Sequence, residues 1–167
     1  MYDKLTQSDV KKMEEEIEYR RLTLRPQLLE SVKEARAHGD LSENFEYHAA
    51  KREKNKNESR IRYLDRMIRS AVVISDSSKL DEAGINNTIT VYFEEENQEA
   101  QYKIVTTVRS NSLKGLISIE SPLGKALLGH KAGDRIMVQV SETISYHVVI
   151  RAIDKSTDDV QDAIRQY

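Results

Sequence analysis

A heptad pattern between residues 47 and 71 restricts the fold of this chain more than any other feature. Its inward positions alternate spacings of three and four residues and are Tyr47, Ala50, Lys54, Asn57, Ile61, Leu64, Ile68 and Ala71. This spacing is typical of a helix that packs along one stripe against another helix. Lys54 and Asn57 are polar, so the half of the helix nearer residue 71 is predicted to pack more tightly. At a rise of about 1.5 Å per residue, residues 44–71 would span roughly 40 Å.

A second helical pattern precedes this one. Ser8 is predicted to cap a helix that starts one or two residues later, and Gly39 is predicted to follow its end. The inward positions shift by about one residue after Pro26, so a kink or short break is expected there. Two helices joined by a short turn are antiparallel neighbours. Residues 1–74 are therefore predicted to form an antiparallel α-helical coiled-coil hairpin, with a functional tip at about 39–47.

The pattern changes to short strands beyond residue 74. Five runs have β character, at residues 88–93, 102–108, 116–120, 135–140 and 146–153. Ser121, Pro122 and Gly129 frame a short helix between the third and fourth runs. Residues 75–153 are therefore predicted to form a small β-rich domain with one helix, which makes the whole chain α+β. The extension at 154–167 is acidic and weakly helical in pattern.

The composition excludes several classes of chemistry. The 167 residues include no cysteine, so disulfides, thiolate nucleophiles and cysteine-ligated zinc sites are excluded. The first ten residues lack the pattern of a signal peptide, and no apolar run approaches the roughly 20 residues that span a bilayer. We therefore expect a soluble, cytoplasmic protein without a membrane partner.

Charge is unevenly distributed, although the net charge is only −2. Residues 51–80 carry nine basic and four acidic side chains, and the regions on either side are net acidic. A basic region between acidic ones favours contact with a polyanion. On charge alone, a solvated helix face with surplus lysine and arginine is an equally good interpretation.

Two carboxylates, Asp40 and Glu43, lie at the predicted turn between the helices. Their spacing is also that of a capping pair, in which Asp40 would cap the second helix and Glu43 would bond back to its amide. Spacing alone favours this interpretation, which is compatible with a function for both residues. Two oxygen ligands are too few to hold Mg²⁺ tightly. A metal site here would therefore need further ligands from a partner.

Basic residues lie within a few turns of these carboxylates. They are Arg36, Lys51, Arg52 and Lys56. In the heptad frame Arg52 and Lys56 occupy outward positions, where they are free to meet phosphates. Aromatic residues for base stacking are sparse there, with Phe45 and Tyr47 only. The pattern predicts contact with a phosphate backbone rather than sequence-specific readout.

Two segments carry a resemblance to a known family. Residues 34–51 read EARAHGDLSENFEYHAAK, and residues 121–134 read SPLGKALLGHKAGD. A G-D-x-x-E-N-x-E-Y stretch at the tip of a helical hairpin, followed by the second segment, resembles the GreA/GreB family of bacterial transcript-cleavage factors. The resemblance covers the chain from Leu5 to about Ile153.

The resemblance implies an activator rather than an enzyme. Family members insert the hairpin into the secondary channel of RNA polymerase, where an Asp and a Glu at the tip help to hold the second Mg²⁺ of the polymerase active centre. Here those residues are Asp40 and Glu43. The Mg²⁺ would be held jointly with the polymerase and not bound tightly by the free protein. The factor would stimulate the polymerase's own endonucleolytic hydrolysis of backtracked RNA and so rescue arrested complexes.

The resemblance also implies two contact surfaces. The four basic residues near the tip match a patch proposed to contact the extruded 3′ segment of the RNA. The C-terminal domain would be FKBP-like and would dock at the rim of the channel through Glu120, Ser121 and Pro122. No small-molecule substrate is implied, and the residues after 153 have no assigned role.

Phe45 departs from the family pattern, because a small residue is usual at this position. Its ring could stack on a base or cap the hairpin. The residues do not decide between a GreA-like and a GreB-like subtype. Three alternatives stay open: a channel-binding inhibitor that does not stimulate cleavage, a prolyl isomerase activity of the C-terminal domain, and a purely structural coiled coil. The Asp and Glu of the cleavage-competent pattern argue against the first.

Overall fold

The computed structural model describes residues 3–39 and 43–166. The chain forms two compact units. Residues 10–71 belong to the first unit, and residues 4–9 join the residues after 71 in the second. The sequence predicts a hairpin domain over residues 1–74, whereas the structure assigns residues 4–9 and 72–74 to the second unit.

The first unit is a helical hairpin. Helix α1 spans Gln7–Tyr19, α2 spans Arg25–Ala37 and α3 spans Phe45–Ser70. Helix α2 packs against α3. All eight inward positions of the heptad pattern are buried or half-buried, and Asn57, Ile61 and Leu64 are the fully buried ones. The predicted coiled-coil hairpin is therefore confirmed, and the tighter packing lies in the half of α3 farther from the turn, as expected.

A π-helical segment, Arg20–Leu24, joins α1 to α2. Its wide turn is closed by the amide of Arg25, which donates to the carbonyl of Arg20. The Asn57 side chain donates to the same carbonyl at 3.1 Å and accepts from the Arg20 guanidinium at 3.0 Å. Because Pro26 has no N–H to offer the preceding turn, a wider turn before it is a natural accommodation. The expected irregularity is present, but it lies just before Pro26 and does not break the helix.

A polar layer crosses the hairpin beside this segment. The Glu16 carboxylate accepts from Arg20 at 2.7 Å and from Arg60 at 2.8 Å. Arg60 is only 6% exposed, so its charge is buried inside the hairpin. A buried polar layer fixes the register of two helices, because any slip would leave charged groups unpaired.

The second unit contains a five-stranded mixed sheet. Strand β3 spans Thr88–Phe93, β4 Gln98–Val105, β5 Leu116–Ser118, β6 Arg135–Gln139 and β7 Ser145–Asp154, in the order β5-β4-β3-β7-β6. The β4–β5 pair is parallel and the other pairs are antiparallel. Helix α4 spans Pro122–Leu127. All five predicted strands and the short helix are present, so the α+β class is confirmed.

The core of this unit lies on one face of the sheet. Alternate residues of β3, β6 and β7 point into it, as expected for strands with one buried face. Its buried members are Ala83, Ile85, Ile89, Val91, Ile104, Ile119, Leu127, Ile136, Val138, Val148 and Ile150.

The start of α1 and a short parallel ladder also belong to the second unit. Strand β1 (Lys4–Leu5) pairs with β2 (Val72–Val73). The cap of α1 is Thr6, not Ser8: its hydroxyl accepts from the amide of Asp9 at 3.1 Å, and the Asp9 carboxylate accepts from the Thr6 amide at 2.9 Å. This reciprocal pair is a capping box with an aspartate in the third position.

The residues after β7 fold back onto the second unit. Asp162 accepts from Arg109 and from Lys103, each at 2.9 Å. Arg109 is fully buried and also donates to Asp9. Ile164 is 7% exposed. Residues 155–166 contain no helix, so the weak helical pattern was misleading, and the segment is held by long-range contacts instead.

No helix in the described part of the chain is long and apolar enough to cross a membrane.

Candidate functional site at the hairpin tip

Asn44 holds the two arms of the hairpin together at the turn. Its side-chain oxygen accepts from the amide of Tyr47 at 3.0 Å and so caps α3. Its side-chain nitrogen donates to the carbonyl of Ala35, in the last turn of α2, at 2.6 Å. Gly39 follows the end of α2 at the predicted position, with φ +134°. The prediction that Asp40 caps the second helix is wrong. Asn44 caps α3, and Glu43 lies one residue before this cap.

Glu43 lies exposed in the turn that precedes Asn44. Its carboxylate makes no hydrogen bond or ion pair with the other described residues. Asp40 lies outside the described residues, so its predicted role is a proposal that rests on the sequence. No group of three His, Asp or Glu side chains within residues 3–39 and 43–166 is arranged to hold a metal ion. Carboxylate oxygens are the ligands that Mg²⁺ prefers, so Glu43 fits a site completed by other groups.

Two of the four predicted basic residues lie over the ring of Tyr47. The Arg36 guanidinium lies 5.7 Å from its ring centroid, and the Lys51 ammonium lies 6.0 Å away. Hydrogen bonding by Arg36, followed by the charge of Lys51, lowers the pKa of the Tyr47 phenol. The His48 ring meets the Tyr47 ring edge-on at 5.5 Å. These contacts concentrate positive charge from both arms on one side of the tip.

Arg52 and Lys56 lie on a different face of α3, exposed as the heptad frame predicted. Lys56 approaches Glu53 at 3.6 Å, and both side chains are largely solvated. Exposed pairs of this kind contribute little to stability, so Lys56 can exchange this partner for a phosphate at low cost. The predicted basic patch is therefore two groups, one ordered around Tyr47 and one open to solvent.

The predicted docking residues form the turn between β5 and α4. The hydroxyl of Ser121 accepts from the amide of Gly124 at 3.1 Å and donates to the carbonyl of Ser118 at 2.6 Å. A Cβ at Gly124 would run into that same carbonyl. Ser121 thus shapes the turn, whereas Glu120 and Pro122 are exposed on its surface.

Both units match domains of one family. Residues 4–73 match the N-terminal domain of transcription elongation factors of the GreA/GreB type, and residues 77–155 match the family described as "Transcription elongation factor, GreA/GreB, C-term". The chain belongs to the GreA/GreB family.

Two relatives of similar sequence agree with this assignment. The chain is 46% identical over 137 residues to transcription elongation factor GreA of Thermoanaerobacter pseudethanolicus, covering 81% of this chain and 87% of that protein. It is 39% identical over 153 residues to GreA of Lachnoclostridium phytofermentans, covering 91% and 95%. Among solved structures, it is similar to GreA factor homolog 1 (Gfh1) of Thermus thermophilus, with 24% identity, 92% and 99% coverage and a TM-score of 0.42.

Two residues of this GreA/GreB tip were missed or undervalued by reasoning from sequence. Asn44 was not singled out, although an asparagine directly before a helical run is a strong capping signal. Tyr47 was assigned to the helix seam, whereas it also organises Arg36 and Lys51. The second role had a usable signal, because Tyr47 and Lys51 lie one helical turn apart.

Proposed function

We propose that this protein is a cytoplasmic transcription elongation factor that binds RNA polymerase and stimulates the polymerase's own hydrolysis of backtracked RNA. It would act as an activator and would not itself be the nuclease. Family membership supports action on transcription elongation. The observation that carries the cleavage mechanism is the position of Glu43, an exposed carboxylate that the fold does not use for capping.

The two tip carboxylates would complete a Mg²⁺ site whose other ligands belong to the polymerase. Glu43 offers hard oxygen ligands in the turn just before α3. Asp40 would supply the second carboxylate. A Mg²⁺ ion bound there supplies an acidified water and neutralises the charge that develops on the phosphate. The protein's own contribution is to deliver these carboxylates in a fixed geometry.

Asn44 makes that delivery possible. By bonding both to Tyr47 in α3 and to Ala35 in α2, it ties the start of one arm to the end of the other. A carboxylate on a tethered turn loses less conformational freedom on binding than one on a free loop. Helix α3 has 26 residues and is therefore about 39 Å long, a length suited to reaching into a channel.

The basic groups would act on the RNA. Arg36 and Lys51 would place positive charge near the scissile region, and Arg52 and Lys56 would contact phosphates of the extruded 3′ segment. The turn that contains Glu120 and Pro122 would dock on the rim of the polymerase channel, with Ser121 keeping its shape.

The test is RNA cleavage in a backtracked elongation complex at limiting Mg²⁺. Asp40→Asn and Glu43→Gln should each bind the polymerase but slow cleavage by about 10- to 100-fold, the range typical of lost groups around a metal. Glu30→Gln is the matched control, because it removes an exposed carboxylate from α2, about two helical turns before the hairpin turn. It should cleave at the normal rate.

Each other outcome has a clear meaning. Wild-type protein that binds without stimulating cleavage would establish the channel-binding inhibitor instead. Normal cleavage by both tip variants would show that neither carboxylate positions the metal.

A further inference from the structure

Phe45, the first residue of α3, is 86% exposed. Phenylalanine is usually buried, because its ring carries a large apolar surface. Single exposed apolar residues are nevertheless common, so exposure alone identifies no function. The arrangement of Phe45 relative to its neighbours on the helix is more informative.

Phe45 heads a column of exposed residues along one face of α3. The members of this column are Phe45, Ala49, Arg52 and Lys56, and each is exposed. Their spacings of four, three and four keep them within about 60° of the helix circumference over about 16 Å. Ala49, between Phe45 and the two cations, contributes only a methyl group to this face. The column therefore presents one aromatic face and then two cations.

Tyr47, the other aromatic residue in this part of the hairpin, is arranged differently. Its ring is approached by Arg36 and Lys51 and by the edge of His48. It is half-buried. Tyr47 is therefore engaged within the protein, whereas the ring of Phe45 is presented to solvent two residues after Glu43.

We propose that Phe45 stacks on a base in the unpaired 3′ segment of the backtracked RNA while Arg52 and Lys56 contact its phosphates. This inference rests on the proposed function. An aromatic platform beside a track of cations is the arrangement by which proteins bind single-stranded nucleic acid, and it tolerates any base because every base has a π face. Stacking next to Glu43 would hold the nucleotide near the bond to be hydrolysed.

The decisive experiment varies the ring and the base together. Phe45→Leu keeps an apolar side chain without a π face, and Phe45→Trp keeps a π face. Cleavage is measured at subsaturating factor on two backtracked complexes, one with an ordinary 3′ nucleotide and one with an abasic 3′ nucleotide. On the ordinary RNA, Phe45→Leu should be about tenfold slower than wild type, in line with the loss of one stacked base. Phe45→Trp should match or exceed wild type.

On the abasic RNA, wild type and Phe45→Leu should cleave at the same rate. Equal rates on the ordinary RNA would overturn the proposal. An equal slowing on both RNAs would also overturn it, because the ring would then contact the polymerase rather than a base.

A binding measurement separates this proposal from the cleavage mechanism. In a Glu43→Gln background, the affinity of labelled factor for the two complexes is compared with and without Phe45→Leu. The substitution should weaken binding about tenfold only when the base is present. This result would support stacking even if Glu43 proved dispensable for cleavage, and the absence of any base dependence would refute stacking whatever Glu43 does.

Discussion

The two hydrogen bonds of Asn44 can be separated by substitution. Asn44→Asp keeps an oxygen that can accept from the Tyr47 amide but loses the nitrogen that donates to the Ala35 carbonyl. Asn44→Ala loses both bonds. In the structure these bonds are 3.0 Å and 2.6 Å long, so each has the geometry of a full hydrogen bond.

The expected costs follow from the two bonds. Loss of an N-cap side chain typically costs about 1 kcal/mol, and loss of one further hydrogen bond costs about 1 kcal/mol. Asn44→Ala should therefore lower the free energy of opening the turn by about 2 kcal/mol. Asn44→Asp should lower it by about 1 kcal/mol or less, since a carboxylate at a helix N-terminus recovers roughly 0.3–1 kcal/mol.

Amide hydrogen exchange at His48 measures this opening directly, because its N–H donates to the backbone carbonyl of residue 44, which both variants keep. At pH 7, where the new aspartate is ionised, Asn44→Ala should accelerate exchange about 30-fold and Asn44→Asp by no more than about fivefold, at 1.4 kcal/mol per factor of ten. The amide of Leu64, far along α3, serves as the internal control and should not change. Equal acceleration by the two variants would refute the assignment of the cap to the Asn44 oxygen.

Three further outcomes are expected. Arg36→Gln should raise the pKa of the Tyr47 phenol towards its ordinary value, which NMR would detect as titration of this ring at a higher pH. A lowered phenol pKa stabilises the folded state only at a pH high enough to ionise the phenol. The free energy of unfolding near pH 7 should therefore change little through this pKa. Gly124→Ala should destabilise the second unit in urea unfolding by about 1–3 kcal/mol, the cost typical of forced overpacking, whereas Lys125→Ala on the same short helix should cost little. Arg109→Leu should destabilise that unit by about 3–5 kcal/mol, because two carboxylates lose their buried partner; a loss below about 1 kcal/mol would show that the buried network is not needed for stability.

The hairpin could be predicted because its signal is local and repeated. Burial along α3 depends on positions three and four residues apart, and six of the eight inward positions from Tyr47 to Ala71 are apolar. The strands were predicted for the same reason, with Thr88–Phe93 placed at its observed bounds. Their ends were less accurate because the last residues of a strand are decided by the partner strand.

Other features depended on contacts that no local pattern reveals. Asp40 and Glu43 have the spacing of a capping pair. Helix α3 is instead capped by Asn44, whose side chain bonds to Ala35 in α2 as well as to Tyr47 in α3. The segment after β7 looked weakly helical, yet it is held by Asp162, whose partner Arg109 is 53 residues away. A contact between residues so far apart in sequence cannot be predicted from local sequence patterns.

The pairing of Arg109 with two carboxylates on opposite sides of it in the chain has a consequence for biosynthesis. Asp9 lies 100 residues before Arg109, and Asp162 lies 53 residues after it. Because the N-terminal part of a chain emerges from the ribosome first, Arg109 has only the first of these two carboxylates available until Asp162 has been translated. We therefore expect nascent chains stalled between codons 109 and 162 to carry an incomplete second unit that proteases cleave more readily than the finished one.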